Sequence, residues 1–251
     1  MSENSGTLIV TGGGRGIGAA TARLAARHGY AVAVNYVADE SAASGVVREI
    51  EHDGGKARAI QADVSREKEV VQLFETAKKV LGRVVGLVNN AGITGGFSRL
   101  EDLEAANLER VVAINVTGAM LCAREAVRRF STRRGGSGGA IVNISSRAAQ
   151  LGSPGEWIHY AVTKGAIDTL TIGLAREVAS EGIRVNAVAP GLIETDIHAA
   201  AGEPGRPQRL AAGIPLGRAG KPEEVAEAVL WLLSPAAAYI TGAILPVSGG
   251  R

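Results

Sequence analysis

The sequence predicts an α/β fold, in which a doubly wound, seven-stranded parallel sheet carries helices on both faces. Short apolar runs alternate with longer amphipathic segments along the whole chain. The apolar runs lack the polar alternation of half-exposed strands, as expected where helices cover both faces of a sheet. The connecting segments are also long enough to hold the crossover helices that parallel strands need.

Each element follows from its local pattern. Strands are predicted at 7–11, 31–35, 57–61, 84–88, 140–145, 184–189 and 243–247. Helices are predicted over 16–28, 39–53, 66–81, 103–133, 158–180 and 222–233. The helix over 103–133 is expected to bend or break near Asn115. Gly29 and Gly182 stand where helices should end, and Pro222 suits a first helical turn. Segment 191–215 has several Pro and Gly and little periodicity, which predicts irregular structure.

Composition limits the classes of function. The chain has 251 residues and is 46% hydrophobic, and neither a linker nor a repeat divides it, so we predict one domain over 1–251. A formal net charge of +2 gives no general field for nucleic acid, and the arginines within 124–134 fit a solvated helix face. The single cysteine, Cys122, excludes an internal disulfide and suits a cytoplasmic protein. No apolar run has the length of a membrane span, and no His/Cys cluster predicts a metal site.

A glycine-rich loop, Thr11-Gly-Gly-Gly-Arg-Gly-Ile-Gly18, joins the first strand to the first helix. Glycines let the backbone turn tightly and approach a pyrophosphate, to which the helix N-terminus offers free N–H groups. The strand–loop–helix context favours a Rossmann-type dinucleotide site. The Lys-Ser/Thr pair of a P-loop is missing, so we do not expect ATP or GTP chemistry.

The tip of the second strand indicates which nicotinamide cofactor binds. An NAD site carries an acid there for the ribose hydroxyl, but this strand ends at Asn35-Tyr36-Val37, and Asp39 comes slightly late. Arg15 lies inside the glycine loop, where its guanidinium could pair with a 2′-phosphate. We therefore favour NADP(H), with NAD(H) as the alternative.

Tyr160 and Lys164 form the second functional motif of the sequence, after the glycine-rich loop. They are spaced i, i+4 and share a helix face, so the ammonium is expected to lower the pKa of the phenol. Tyr160 could then act as general acid in carbonyl reduction or as base in alcohol oxidation. Such a pair alone is common by chance, but a strand ending Ser145-Ser146 precedes it. We select Ser146 to hold the substrate oxygen, because strand alternation turns one of the two serines away.

Taken together, these motifs resemble the compact, single-domain short-chain dehydrogenase/reductase family over residues 7–250. The matching motifs are Thr11-Gly12-xxx-Gly16-x-Gly18, Asp63-Val64, Asn89-Asn90-Ala91-Gly92, Asn115, Ser146 with Tyr160-xxx-Lys164, and Pro190-Gly191. The resemblance implies a catalytic set of Ser146, Tyr160, Lys164 and Asn115, with Asn115 supporting a water that relays protons to Lys164.

The resemblance also implies the binding residues. Those for the cofactor are Gly12, Gly14, Arg15, Gly16, Ile17, Gly18, Asn35, Tyr36, Asp63, Val64, Asn89, Ala91, Gly92, Tyr160, Lys164, Pro190, Gly191, Ile193 and Thr195. Those for the substrate are Ser146, Gln150, Trp157 and Tyr160, under a lid at about 192–216. Trp157 could equally be a packing residue.

These observations predict an NADP(H)-dependent oxidoreductase that reduces a carbonyl to an alcohol, or catalyses the reverse reaction. A small carbonyl or alcohol compound is the expected partner. The resemblance further implies a homotetramer built on the helices near 103–133 and 158–180. The alternative is a catalytically silent NADP(H)-binding sensor or scaffold, which would have no need of a titratable Tyr–Lys pair. An epimerase or dehydratase of the extended relatives is disfavoured by the chain length and the glycine spacing.

Overall fold

A single parallel sheet organises the computed structural model, which describes residues 6–251. Its seven strands are β1 (Thr7–Val10), β2 (Ala31–Tyr36), β3 (Lys56–Gln61), β4 (Val84–Asn89), β5 (Gly139–Ile144), β6 (Ile183–Pro190) and β7 (Ile244–Val247). Their order is β3-β2-β1-β4-β5-β6-β7, and every pairing is parallel. The predicted fold class is confirmed. The chain reverses its direction of growth between β1 and β4, and a crevice opens at that point beyond the strand ends.

Helices cover both faces of this sheet. Within residues 6–251 they are α1 (Gly16–Arg27), α2 (Glu40–His52), α3 (Glu67–Leu81), α4 (Ala105–Val112), α5 (Ala119–Phe130), α6 (Ala148–Leu151), α7 (Ile158–Val178), α8 (Ile197–Ala200), α9 (Arg206–Leu210) and α10 (Pro222–Leu233). The six predicted helical regions are all helical, with ends that shift by one or two residues where the helix is continuous. Helix α10 begins and ends where the sequence predicted.

The long helical region breaks where expected. Between α4 and α5 the backbone widens into a π-helical segment, Ala113–Gly118, which contains Asn115. Such widened turns often occur at functional sites because they redirect side chains. A Cβ at Gly118 would lie 2.8 Å from a methyl carbon of Val64, so this segment packs closely on the loop after β3.

Short helices in the loops were not predicted. Helix α6 follows β5, and α8, α9 and a 3₁₀ turn, Ala211–Gly213, lie within the segment expected to be irregular. That expectation was therefore partly wrong. Elements of three to five residues complete little more than one turn, so they leave no hydrophobic period in the sequence.

Two apolar cores explain the missing polar alternation in the strands. On β1, Leu8 and Val10 pack into one core, and Ile9 packs into the other. The first core includes residues of α1, α2 and α10, and the second includes residues of α3, α5 and α7. Because neighbouring residues of a strand point to opposite faces, covering both faces buries every position of β1.

Four of the five arginines within 124–134 are paired with acids. Arg124 bonds Glu67 at 2.6 Å, Arg128 bonds Glu125 at 2.7 Å, and Arg133 bonds Glu181 at 3.1 Å. These contacts place the basic run on a charged helical surface.

Residues 6–251 show neither a membrane-spanning helix nor a metal-binding cluster. In that part of the chain, no helix combines the length and apolar character needed to cross a membrane. Over the same residues, no three His, Cys, Asp or Glu side chains are grouped so that they could hold a metal ion.

Candidate active site

The glycine loop folds into a tight cradle at the carboxyl end of β1. We call residues 11–18, together with 90–92, the cofactor cradle. Gly12 and Gly16 have φ angles of +60° and +53°, which favour glycine. A Cβ at Gly18 would lie 2.4 Å from the carbonyl oxygen of Gly12, and one at Gly14 would lie 3.2 Å from the Ala43 nitrogen. Close approach of backbone to backbone therefore requires glycines here.

Thr11 and Asn90 bind the two halves of the cradle together. The Thr11 hydroxyl accepts hydrogen bonds from the backbone N–H groups of Asn90 and Ala91, at 2.9 and 3.0 Å. The Asn90 carboxamide donates to the carbonyls of Thr11 and Gly12, at 2.9 and 3.0 Å. Asn90 also lines the adjoining cavity, although the sequence assigned a role to its neighbour Asn89 instead.

Helix α1 begins inside the cradle without a side-chain cap. Arg15 stands at the N-cap position in an extended conformation, and its side chain is exposed. An uncapped first turn leaves N–H groups to attract an anion, and the helix dipole adds to that attraction. Thr195 lies against this turn, since its methyl carbon is 3.3 Å from the Cβ position of Gly16.

No carboxylate stands at the tip of β2. Tyr36 ends the strand and is half-buried, and the exposed Val37 follows it. The carboxylate of Asp39 accepts a hydrogen bond from the Ala42 N–H at 2.9 Å and so caps α2. Asp39, the acid that follows the strand end by a few residues, therefore caps α2 and does not stand at the tip of β2.

Two predicted cofactor residues turn their side chains into the protein. The Asn35 carboxamide accepts from the Gly12 N–H at 3.2 Å and donates to the Ala62 carbonyl at 2.9 Å. The Asn89 carboxamide donates to Asn143 at 3.0 Å. Both residues are buried. These two amides therefore support the cradle from beneath, and their roles at the cofactor site stay predictions.

Asp63 and Val64 follow β3. The Asp63 carboxylate accepts from the backbone N–H and the hydroxyl of Ser65, at 2.9 and 2.7 Å. Val64 is buried against Gly118. Asp63 remains half-exposed, so it is the one of the pair whose side chain a ligand could reach.

Tyr160, Ser146 and Lys164 meet at the carboxyl end of β5. The Tyr160 phenol is hydrogen-bonded to the Ser146 side chain. The Lys164 ammonium donates to the Ile144 carbonyl at 2.7 Å and lies 5.5 Å from the centre of the Tyr160 ring. The Ser145 hydroxyl instead donates to Asp168. Of the two serines, Ser146 is therefore the one beside the phenol.

Burial dominates the protonation of this group. It raises the pKa of Tyr160 to about 12, and the hydrogen bond from Ser146 opposes part of that rise. Burial also lowers the pKa of Lys164 to about 8, against the opposing charge of Asp168. The expected lowering of the tyrosine pKa is therefore not what this structure shows. Desolvation outweighs the neighbouring ammonium, so the phenol carries its proton at neutral pH.

Asn115 joins three parts of the site. Its carboxamide accepts from the Ile93 N–H and donates to the Ile93 carbonyl, both at 2.9 Å, and it donates to Thr163 at 3.0 Å. A Cβ at Gly92 would lie 3.3 Å from the Asn115 oxygen and 3.6 Å from the Lys164 nitrogen. The glycine therefore permits the cradle to pass close to both side chains.

A cavity of about 150 Å³ opens over this group. Predicted site residues that line it are Ile17, Gly92, Ser146, Trp157, Tyr160, Lys164, Pro190, Gly191, Ile193 and Thr195. The residues around it that had no predicted role include Arg147, His198 and Arg206. Gly191 follows β6, where a Cβ would lie 2.8 Å from the Ser248 Cα, so a larger residue would push the C-terminal segment away.

We call residues 146–157, together with 192–216, the substrate wall. Trp157 is buried there, stacks on Phe97 with centroids 4.8 Å apart, and meets the Tyr160 ring edge-on at 6.0 Å. It both packs and lines the cavity, so the two roles considered for it are compatible. Gln150 is exposed and binds Arg147 and Asp168, each at 3.1 Å. It does not line the cavity, and its contact with substrate stays a prediction.

Comparison with known proteins decides the family. The family model described as enoyl-(acyl carrier protein) reductase matches residues 12–251. The uncharacterised oxidoreductase YgfF of Escherichia coli (strain K12) is 53% identical over 243 residues, which cover 97% of this chain and 98% of the relative. The chain belongs to the short-chain dehydrogenase/reductase family. This confirms the resemblance found in the sequence.

Solved structures of similar proteins agree with the fold of this short-chain dehydrogenase/reductase. A short-chain dehydrogenase from Burkholderia cenocepacia J2315 in complex with NADP matches with a TM-score of 0.89 and 32% identity, covering 97% of this chain and 96% of that one. A blue fluorescent protein from a metagenomic library in complex with NADPH matches with a TM-score of 0.89 and 37% identity, covering 98% of each chain. As a member of this family, the chain is an oxidoreductase of alcohol and carbonyl groups.

Proposed function

We propose that this short-chain dehydrogenase/reductase uses NADP(H) to interconvert a carbonyl and an alcohol, with Tyr160 as the acid and base. One observation carries the proposal. The phenol of Tyr160, bonded to Ser146 and flanked by Lys164, lies on a cavity at the same sheet edge as the cofactor cradle. A proton donor beside a dinucleotide crevice is the arrangement that hydride transfer to a carbonyl needs.

The cradle fits a dinucleotide phosphate. Its glycines hold the backbone where a side chain would fill the space, and the uncapped start of α1 offers N–H groups to an anion. The exposed Arg15 would pair with the 2′-phosphate beside Tyr36. No acid at the tip of β2 would repel that phosphate, because Asp39 caps α2. The NADP and NADPH complexes of the two solved structures support this choice.

The residues of the chain would divide the chemistry between them. When bound, the nicotinamide supplies or accepts the hydride. Ser146 and Tyr160 would hold the substrate oxygen, and Tyr160 would give it a proton as negative charge develops. Lys164 would stabilise the resulting phenolate. Asn115 would position the water through which Lys164 exchanges protons with solvent.

Replacing the phenol tests the proposal. For Tyr160→Phe we expect kcat for carbonyl reduction to fall by about 10³-fold or more, because general acid catalysis contributes on this scale. NADPH binding, followed by the fluorescence of the bound cofactor, should stay nearly unchanged. Tyr239→Phe is the matched control, because Tyr239 is fully exposed, and it should alter neither property. Wild-type turnover by Tyr160→Phe would refute the assignment.

The proposal extends to the assembly of the chain. We infer one functional unit over 1–251, with the lid at 192–216, and a homotetramer built on the helices near 103–133 and 158–180. Large apolar side chains are exposed on these helices, which favours self-association. They are Leu108, Val112, Met120, Val162 and Ile172.

A further inference from the structure

Two buried polar atoms of the lid have no hydrogen-bond partner. They are Nδ1 of His198 and Nε of Arg206, and each residue is only 6% exposed. Within residues 6–251, just four buried side-chain atoms are unpartnered in this way, and the other two lie on Asn89 and Arg124, away from the cavity. His198 and Arg206 both line the cavity that holds Tyr160. Because leaving a buried polar atom unpaired costs free energy, each such atom needs an explanation.

The free nitrogen of His198 is an acceptor. Its Nε2 lies 2.9 Å from the carbonyl oxygen of Ile193. A carbonyl can only accept, so Nε2 carries the ring proton. Burial lowers the pKa of His198, which keeps the ring neutral near pH 7. Nδ1 therefore keeps a lone pair without a partner, on a residue that lines the cavity.

The free nitrogen of Arg206 is a donor. The far end of its guanidinium bonds Glu156, but Nε lies 3.8 Å from Glu203, too far for a hydrogen bond. The guanidinium carbon lies 4.6 Å from the centre of the Trp157 ring, and that ring contacts Tyr160. A substrate whose carbonyl is bound at Tyr160 therefore needs only to extend past Trp157 to reach Arg206.

We infer that His198 and Arg206 together bind a hydroxyl group of the substrate, so the enzyme acts on hydroxylated, uncharged carbonyl compounds. This inference rests on the proposed function. A hydroxyl can accept from the Arg206 N–H while donating to the His198 ring, and so satisfies both atoms.

Charged groups fit this pair less well. Glu156 and Glu203 already compensate the charge of Arg206, so a substrate carboxylate would meet two acids and the lone pair of His198. An ammonium group has no lone pair to accept from the Arg206 N–H, so it would leave that donor unpaired. A plain alkyl ketone would leave both buried atoms unpaired, at a cost in transition-state binding.

The test compares ketones that share a skeleton and differ at one end. Butan-2-one, 4-hydroxybutan-2-one and 3-oxobutanoate provide methyl, hydroxyl and carboxylate ends, and homologues longer by one and two carbons cover the distance to the lid. We expect kcat/KM for the best hydroxylated ketone to exceed that of its methyl and carboxylate partners by at least about tenfold, since two buried groups become paired. A preference for either partner would overturn the inference.

Two conservative variants locate the contact. His198→Gln retains a donor for the Ile193 carbonyl but loses the Nδ1 acceptor, and Arg206→Lys retains the charge opposite Glu156 but loses the Nε donor. In each variant we expect the ratio of kcat/KM for hydroxylated over methyl ketone to fall about tenfold. Arg209→Lys is the matched control, because Arg209 is exposed on the same helix. An unchanged ratio in both variants would place the hydroxyl elsewhere and overturn the inference.

A binding measurement separates this inference from the proposed function. In Tyr160→Phe loaded with NADPH, cofactor fluorescence reports ketone binding without turnover. There we expect the hydroxylated ketones to bind at least about tenfold more tightly than the methyl ketones, and His198→Gln in that background to remove the difference. If binding behaves in this way but the native enzyme reduces no ketone, the proposed function fails and the hydroxyl site stands. If the hydroxyl brings no gain in binding, the site fails whatever the turnover.

Discussion

The cofactor cradle and the substrate wall are built from different kinds of contact. In the cradle, backbone meets backbone, as at Gly18, where a single added carbon would come within 2.4 Å of a carbonyl oxygen. In the wall, the contacts are between long side chains. Arg206, on the short helix α9, lies over Trp157 and pairs with Glu156. The cradle suits the cofactor, which stays the same from one substrate to another. It offers backbone N–H groups, which do not depend on the identity of the side chain. The wall can exchange side chains without moving the sheet, so the wall is the part that can set the substrate.

After Tyr160 itself, the largest expected effect comes from Lys164, which lies where the two regions meet. For Lys164→Met we expect kcat to fall by about 10³-fold, because the phenolate of Tyr160 loses its stabilising cation. The free energy of unfolding at pH 7 should stay equal or rise by up to about 2 kcal/mol. The lowered pKa of about 8 makes the buried ammonium costly by about 3 kcal/mol, and loss of its bond to the Ile144 carbonyl offsets about 1–3 kcal/mol of the gain.

The pH dependence distinguishes this cause from simple repacking. The folded-state pKa of Lys164 lies below its ordinary value of 10.5, so the unfolded state binds the extra proton between about pH 8 and pH 10.5. The penalty is complete below pH 8 and fades as the pH rises. Thermal melts of both proteins should therefore show the advantage of Lys164→Met shrinking from pH 7 to pH 10. A constant difference across that range would contradict a buried charge.

Gly18→Ala should break the cradle. The new methyl group would lie 2.4 Å from the Gly12 carbonyl oxygen and 2.6 Å from the Asn90 amide, so α1 or the loop must shift. We expect about 100-fold weaker NADPH binding and a loss of about 2–3 kcal/mol in the free energy of unfolding, by titration and denaturant melts.

Gly45→Ala is the matched control for that change. Gly45 lies within α2, where a Cβ would come only within 3.9 Å of the Arg48 side chain. Alanine there should raise the free energy of unfolding by about 0.5–1 kcal/mol, because glycine is a poor helix former. Equal effects at the two positions would refute the close-contact account of the cradle.

The smallest effect concerns which cofactor the cradle prefers. For Arg15→Ala we expect KM for NADPH to rise about tenfold and KM for NADH to change less than about twofold, because only NADPH carries the 2′-phosphate. Steady-state kinetics with both cofactors measures this. Arg27→Ala is the control at the other, exposed end of α1 and should affect both cofactors alike. Equal shifts for Arg15→Ala would argue against the phosphate contact.

Local patterns predicted most of the cradle and the sheet. Val10, Val34 and Val88 stand in apolar runs that read as buried strands, and the glycine spacing identified the loop that follows β1. Tyr160 and Lys164 were found because helical spacing alone brings them together. In all these cases the informative residues are close in sequence.

Other features of the site depend on residues that are distant in the sequence. Asn35 is withdrawn from the crevice by bonds to Gly12 and Ala62, and Gln150 is drawn toward Asp168. The pKa of Tyr160 depends on its burial, which spacing along a helix does not reveal. His198 and Arg206 lie in a segment without periodicity, so no local signal indicated that both would be buried at the cavity.

From its sequence alone, this protein is recognisable as a dinucleotide-binding oxidoreductase, because strand patterns, glycine turns and a helical Tyr–Lys pair are short-range features. Tertiary structure alone decided which polar atoms stay without partners beside the substrate. Burial and hydrogen-bond satisfaction depend on everything packed around an atom. The contacts of His198 and Arg206 come from the segment before α7 and from the lid itself.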